Sequence, residues 1–168
     1  ADTVSWTVAS TPGTDLETGA NWDGGVAPAD DVMSDTAAFG TRGVAVQNPA
    51  LSQDRSIYGV DFTDAGWTLG NNDDGGGPYV LNVGRGGIDS AGSGSNTVSG
   101  EVKYSGQGTW TMGSNNTLTV DTLTRDTSTA GLGAALVSVG SGAKLLVANP
   151  GADLTPDKND RMVAPHYG

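Results

Sequence analysis

NTVSGEVKYSGQGTWTMGSNNTLTVDTLT, residues 96 to 124, is built from short alternating runs separated by Gly, Ser and Asn. In Thr109-Trp110-Thr111-Met112 and in Thr117-Leu118-Thr119-Val120-Asp121, apolar and polar residues trade places with a period of two. That period gives each run one greasy and one wet face, the signature of a half-buried strand. Strands this short cannot bury an apolar face alone, so they have to stack on near copies of themselves.

Working outward, the near copies are present. Thr68-Leu69-Gly70-Asn71-Asn72, Val83-Gly84-Arg85-Gly86-Gly87, Thr111 to Asn116 and Val139-Gly140-Ser141-Gly142-Ala143 each set a strand end before a glycine and a small or polar corner. Further short strands follow these corners: Tyr79 to Val83, Leu118 to Val120 and Lys144 to Val147. Strand, small-residue corner, strand is the grammar of a β-solenoid. A β-sandwich also has short, regularly spaced strands and stays open as an alternative at this point.

The composition allows a thin core. Of 168 residues 36% are hydrophobic and 27 are Gly. A narrow coil needs only alternate inward side chains, whereas helical apolar stripes are absent. Four Trp, four Tyr and repeated Val, Leu and Thr runs set the chain apart from a disordered one. A net charge of −11 argues against nucleic acid and anionic membranes as partners. No apolar run approaches the ~20 residues of a membrane helix, so no membrane insertion is expected. With no Cys there is neither a disulfide frame nor thiol chemistry, which suits an exported chain. The opening Ala1-Asp2-Thr3 has the small-residue character left by a signal peptidase, so the expected location is extracellular or cell-surface after signal-peptide cleavage.

The chain divides into an N-terminal strand and cap block (1–40), solenoid rungs (41–150) and a polar tail (151–168), all within a single domain. Val4 to Val8 reads as the first strand, and Trp6, Trp22 and Phe39 are large anchors in a region of turn formers. They are expected to fold a cap over one end, where bare strand edges would otherwise pair without control.

Trp6, then Asn21-Trp22-Asp23-Gly24-Gly25-Val26-Ala27-Pro28 and Asp35-Thr36-Ala37-Ala38-Phe39-Gly40, resemble the opening of bacterial exported proteins with autotransporter-associated β-strand repeats. Ile57 to Phe62, Gly66 to Leu69, Gly108 to Gly113 and Thr117 to Val120 are similar to that family's ribbon units and follow in the family's order. The resemblance spans roughly residues 4 to 148 and implies an all-β, right-handed parallel β-helix outside the cell. It brings no catalytic residues with it.

The residues themselves offer little catalytic chemistry. The only histidine, His166, lies in the Pro- and Gly-flanked tail, a poor setting for a triad, and neither HExxH nor zinc-type spacing occurs. Basic residues are few and scattered, so paired carboxylates for polysaccharide cleavage lack a charged partner, and no enzyme is expected. Calcium is the one credible cofactor, through Asp30, Asp31 and Asp35 or through Asp73 and Asp74, although Asp also favours turns for backbone reasons alone. Trp67, Tyr79, Tyr104 and Trp110 are candidates for a sugar-stacking strip, which would make the chain a carbohydrate-binding adhesin module with surface polysaccharide as partner. Aromatics in such strands more often pack inside. The leading expectation is mechanical: copies of the chain join head to tail, the donated segment being Val4, Trp6 and Val8 or Met162, Val163 and Tyr167. The contact would add one strand to an open edge.

Overall fold

The computed structural model describes residues 2–6, 15–40, 48–71, 75–104, 108–125, 135–150 and 161–162. Among them helix is confined to one 3-10 turn, Gly19–Asn21. The strands are β1 (Asp2–Ser5), β2 (Asp35–Phe39), β3 (Arg55–Phe62), β4 (Thr68–Leu69), β5 (Val80–Ser90), β6 (Gly94–Tyr104), β7 (Thr109–Met112), β8 (Asn116–Arg125), β9 (Ala135–Val139), β10 (Lys144–Pro150) and β11 (Arg161–Met162). They form one 11-stranded sheet. Strand pairs within it are parallel except β11 on β9. Parallel pairing rules out the antiparallel sandwich and gives an all-β, solenoid-like coil.

The registers resolve into three ladders. One stacks β1, β2, the second half of β3, the second half of β5, then β7 and β9. Another stacks β4 and the first halves of β6, β8 and β10. The third stacks the first halves of β3 and β5 on the second halves of β6 and β8 and the end of β10. Long strands thus bend from one ladder to the next, and registers shift at the bends, between Ile57 and Gly59 and between Val98 and Glu101. Stacked positions such as Thr117 and Lys144, or Ser95 and Thr117, are roughly 22 to 27 residues apart, as in a solenoid repeat.

Two details differ from the sequence expectation. Val83 to Gly87 is not a break between strands but a bend inside β5. Gly87 makes the bend possible: its φ is +62°, and a Cβ there would strike the Thr109 carbonyl of the next turn. The first strand is Asp2–Ser5 rather than Val4 to Val8; Trp6 forms an isolated antiparallel bridge with Trp22, and Val8 lies outside the described residues.

Inward columns build the core. Val60 and Ile88 are stacked in register and buried, as are Leu69, Val98 and Val120. One corner is polar and satisfied. The Ser90 hydroxyl donates to Asn116 Oδ1 at 2.6 Å, Asn96 Nδ2 donates to Ser90 Oγ at 2.9 Å, and Asn116 Nδ2 donates to the Ala91 and Gly92 carbonyls at 3.0 Å. All three side chains are buried, so these bonds offset the cost of removing them from water.

Candidate assembly interface

The two ends of the coil differ in what they leave uncovered. At the N-terminal end aromatic rings pack in sequence. Trp6 meets Trp22 edge-on at 5.2 Å between centroids, Trp22 lies 5.8 Å from Phe39, and Phe39 stacks on Phe62 at 5.4 Å and contacts Trp67 at 5.3 Å. Trp6, Trp22 and Phe39 are buried together, the anchoring expected of them from sequence.

Beside the rings sits a polar cluster that sequence reading missed. Arg55 shares an inward column with Leu81, Val102 and Leu123 and is only 6% exposed. It donates to the Pro28 carbonyl and lies 3.8 Å from Glu17 Oε1. The Ser52 hydroxyl is 2.7 Å from both Asp15 Oδ1 and Glu17 Oε2. Burial and the neighbouring Asp15 push the Glu17 carboxyl up. Burial also acts against the Asp15 charge, but the Glu17 carboxyl, the Ser52 and Thr18 hydroxyls and the Glu17 N–H outweigh it and hold Asp15 at about 2. The Ser52 N–H also donates to Glu17 Oε2, at 3.0 Å, so Ser52 bridges the two carboxyls through both its backbone and its side chain. The adjoining cavity is apolar, lined by Leu16, Trp22, Phe39, Ile57 and Leu81 as well as Arg55, and is no substrate cleft. The available signal was period two: Arg55 is two residues from inward Ile57.

The C-terminal end is different. Phe39, Phe62, Ser90, Met112 and Val139 are successive register partners. The first four are at most 1% exposed, and Val139 is 49% exposed. Val137 and Val147 likewise end buried columns while only partly buried themselves. β10 is the terminal strand of the main strand order. The expectation of a bare final rung needs one correction: β11 returns antiparallel along β9, pairing Arg161 with Leu136 and Met162 with Ala135. Two residues of that edge are therefore occupied, which tail composition could not reveal. Val163 and Tyr167 lie outside the described residues.

β1 ends the first ladder on the opposite side. A groove of about 330 Å³ runs beside it, lined by Asp2, Thr3, Val4 and Ser5 on one side and Asp23, Val26 and Ala27 on the other, with Asp35. The Asp23 N–H closes one end by donating to the Ser5 carbonyl at 2.8 Å.

The remaining sequence candidates are dispersed. Trp67, Tyr104 and Trp110 are each 1% exposed, and Tyr79 is half-buried against the core. The exposed aromatic row required for sugar stacking is not formed by these residues, because the inward side of each strand is where large rings escape water. Asp30 accepts from the Ser56 N–H, Asp31 from the Met33 N–H and Ser34 hydroxyl, and Asp35 from the Ala29 N–H, all at 2.7 to 2.8 Å. Asp31 thus caps its own turn, Asp35 ties the loop to the start of β2, and Asp30 reaches across to β3. Among the described residues no three His, Cys, Asp or Glu side chains converge as metal ligands, and Asp73 and Asp74 lie outside that set.

Compared with protein-family models, curated proteins and solved structures, the chain matches none.

Proposed function

We propose that this chain is an extracellular structural subunit, a right-handed parallel β-helix with an aromatic-rich N-terminal cap, that assembles head to tail into a surface filament or matrix layer. The observation that carries this reading is Val139: its column is buried on four earlier strands and half-exposed on the last. A second copy stacked on that rung would remove the exposed apolar surface from water, a gain of roughly 25 cal/mol per Å². The N-terminal end, with its ring stack and the Arg55–Glu17 pair, is chemically different. Contact between unlike ends does not close on itself and so propagates as a filament. Handedness and export rest on the resemblance of the Trp22 and Phe39 blocks to the autotransporter-associated repeats. A Cys-free chain with a charge of −11 suits life outside the cell.

The test is negative-stain electron microscopy of concentrated protein beside size-exclusion chromatography. Regular filaments support the reading; isolated 16.8 kDa particles at every concentration overturn it.

A further inference from the structure

β1 is the first strand of the sheet order and pairs with β2 on one side only. The Trp6 N–H donates to the Ala38 carbonyl of β2 at 2.8 Å, and main-chain groups of successive strand residues point to opposite sides, so Thr3 and Ser5 turn theirs away from β2. Ser5 shows that direction, because its carbonyl accepts the Asp23 N–H at 2.8 Å. Beyond Asp23 the chain leaves the strand: Gly24 and Gly25 have φ of +85° and +77°, and the Gly25 N–H closes a turn on the Trp22 carbonyl. The groove of about 330 Å³ is what this departure opens, with the outward N–H and C=O of Thr3 and the N–H of Ser5 along its β1 wall. Among the described residues none pairs with these three groups. A bare edge of this kind is a template for one more extended chain.

The lining selects which chain. Its charged members are Asp2, Asp23 and Asp35, with no Lys or Arg, and Val4, Val26 and Ala27 add apolar contact, Val26 being 70% exposed. From Ala1 to Thr41 the sequence carries seven acidic residues and no Lys or Arg, so no neighbouring segment brings a counter-charge. A net charge of −11 disfavours another copy here and favours a basic segment from elsewhere.

We propose that the groove beside β1 binds an extended, Lys- or Arg-bearing segment of a different protein, which joins the sheet as a further strand. Main-chain bonds to Thr3 and Ser5 hold it, the carboxylates take its basic side chains, and Val26 and Ala27 take the apolar ones between. This goes beyond the assembly reading and does not depend on it. On a filament the β1 groove of the terminal subunit is where the assembly is anchored to another molecule; on a single chain the same site is present.

The probe is a short blocked peptide of alternating lysine and valine, with a glutamate–valine peptide as control, titrated into the isotope-labelled whole chain and followed by NMR. The lysine peptide shifts the amide signals of residues 2–5 and 23–27, and the glutamate peptide shifts none. Two variants separate strand addition from diffuse charge attraction. Thr3→Pro removes an outward N–H that β2 does not use, which an edge strand tolerates, and so takes a bond from the added strand alone. Asp2→Asn with Asp23→Asn keeps the edge and removes two carboxylates. Each lowers affinity for the lysine peptide about tenfold with an unchanged thermal melt. If Thr3→Pro fails to fold, the wild-type footprint and the Asp double variant still decide. Shifts scattered over the outer faces, equal binding by a folded Thr3→Pro variant, or no binding at all overturn the site. Shifts at residues 2–5 that grow with protein concentration in the absence of peptide overturn the foreign partner in favour of a second copy.

Discussion

Arg55 is the register partner of Leu81. The inward position that Leu81, Val102 and Leu123 fill with apolar side chains on successive turns therefore holds a guanidinium where the column starts. The column is closed by charge rather than by another hydrocarbon, and Glu17 at 3.8 Å supplies the compensating carboxyl.

Removing one partner alone is expected to be costly. Arg55→Ala leaves the Glu17 carboxyl, 14% exposed, without its cation and should lower unfolding free energy by about 3 kcal/mol. Replacing both, as Arg55→Met with Glu17→Gln, should cost less than about 1 kcal/mol, because no charge is then stranded. Urea unfolding of the two variants separates the outcomes; equal losses would mean that packing of the arginine stem, not the ion pair, is what matters.

Asp61 and Asp89 are also register partners, with side chains on the outer face of the first ladder. Burial raises both carboxyls, and the Asp61 charge raises Asp89 further. A carboxyl raised on folding keeps its proton longer in the native state, so its stabilising effect is complete below the usual 3.8 and is lost as pH rises through the folded value. Glu17 behaves alike relative to 4.5. Asp15 has the opposite sign: its contribution is present above 3.8 and is lost as pH falls to about 2. Stability should therefore rise on mild acidification from neutral pH and fall again below about 3.8. Asp61→Asn should raise unfolding free energy at pH 7 by about 0.5 to 1 kcal/mol and flatten the acid-side gain. A drop at pH 7 would instead point to a cation held between the two carboxylates.

Asn116 is buried, accepts from Ser90 and donates to two carbonyls. Asn116→Ala strands all three partners away from water and should cost about 3 kcal/mol. Asn116→Asp should be no better, since an acid cannot supply both donors. Thermal melts with circular dichroism measure each loss, and a change below about 0.5 kcal/mol would show that water replaces the amide.

At the open end, Val139→Asp places a charge at the final inward position. It should abolish filaments in electron micrographs while changing unfolding free energy by less than about 1 kcal/mol, because the site is already half-exposed. Leu146→Asp is the control. Leu146 is 48% exposed but continues the outer column of Thr97 and Thr119, so its variant should assemble normally. Equal loss of assembly from both would mean lateral, sheet-on-sheet contact rather than end-to-end stacking.

Much of this was written in local pattern. Period two in Thr109 to Met112 and Thr117 to Val120, with Gly, Ser and Asn between, fixes strands and corners because backbone conformation and side-chain alternation are set within a few residues. Trp6, Trp22 and Phe39 announced a packed N-terminal block for the same reason: rings that large, amid turn formers, have to find one another. Tertiary structure alone decided which strand lies beside which. It put Trp67, Tyr104 and Trp110 inside, made Arg55 the end of a core column, set Asp61 against Asp89, and laid Arg161–Met162 on β9. Burial and edge pairing depend on the turn above and the turn below, and those neighbours are brought close by the coil rather than by the chain.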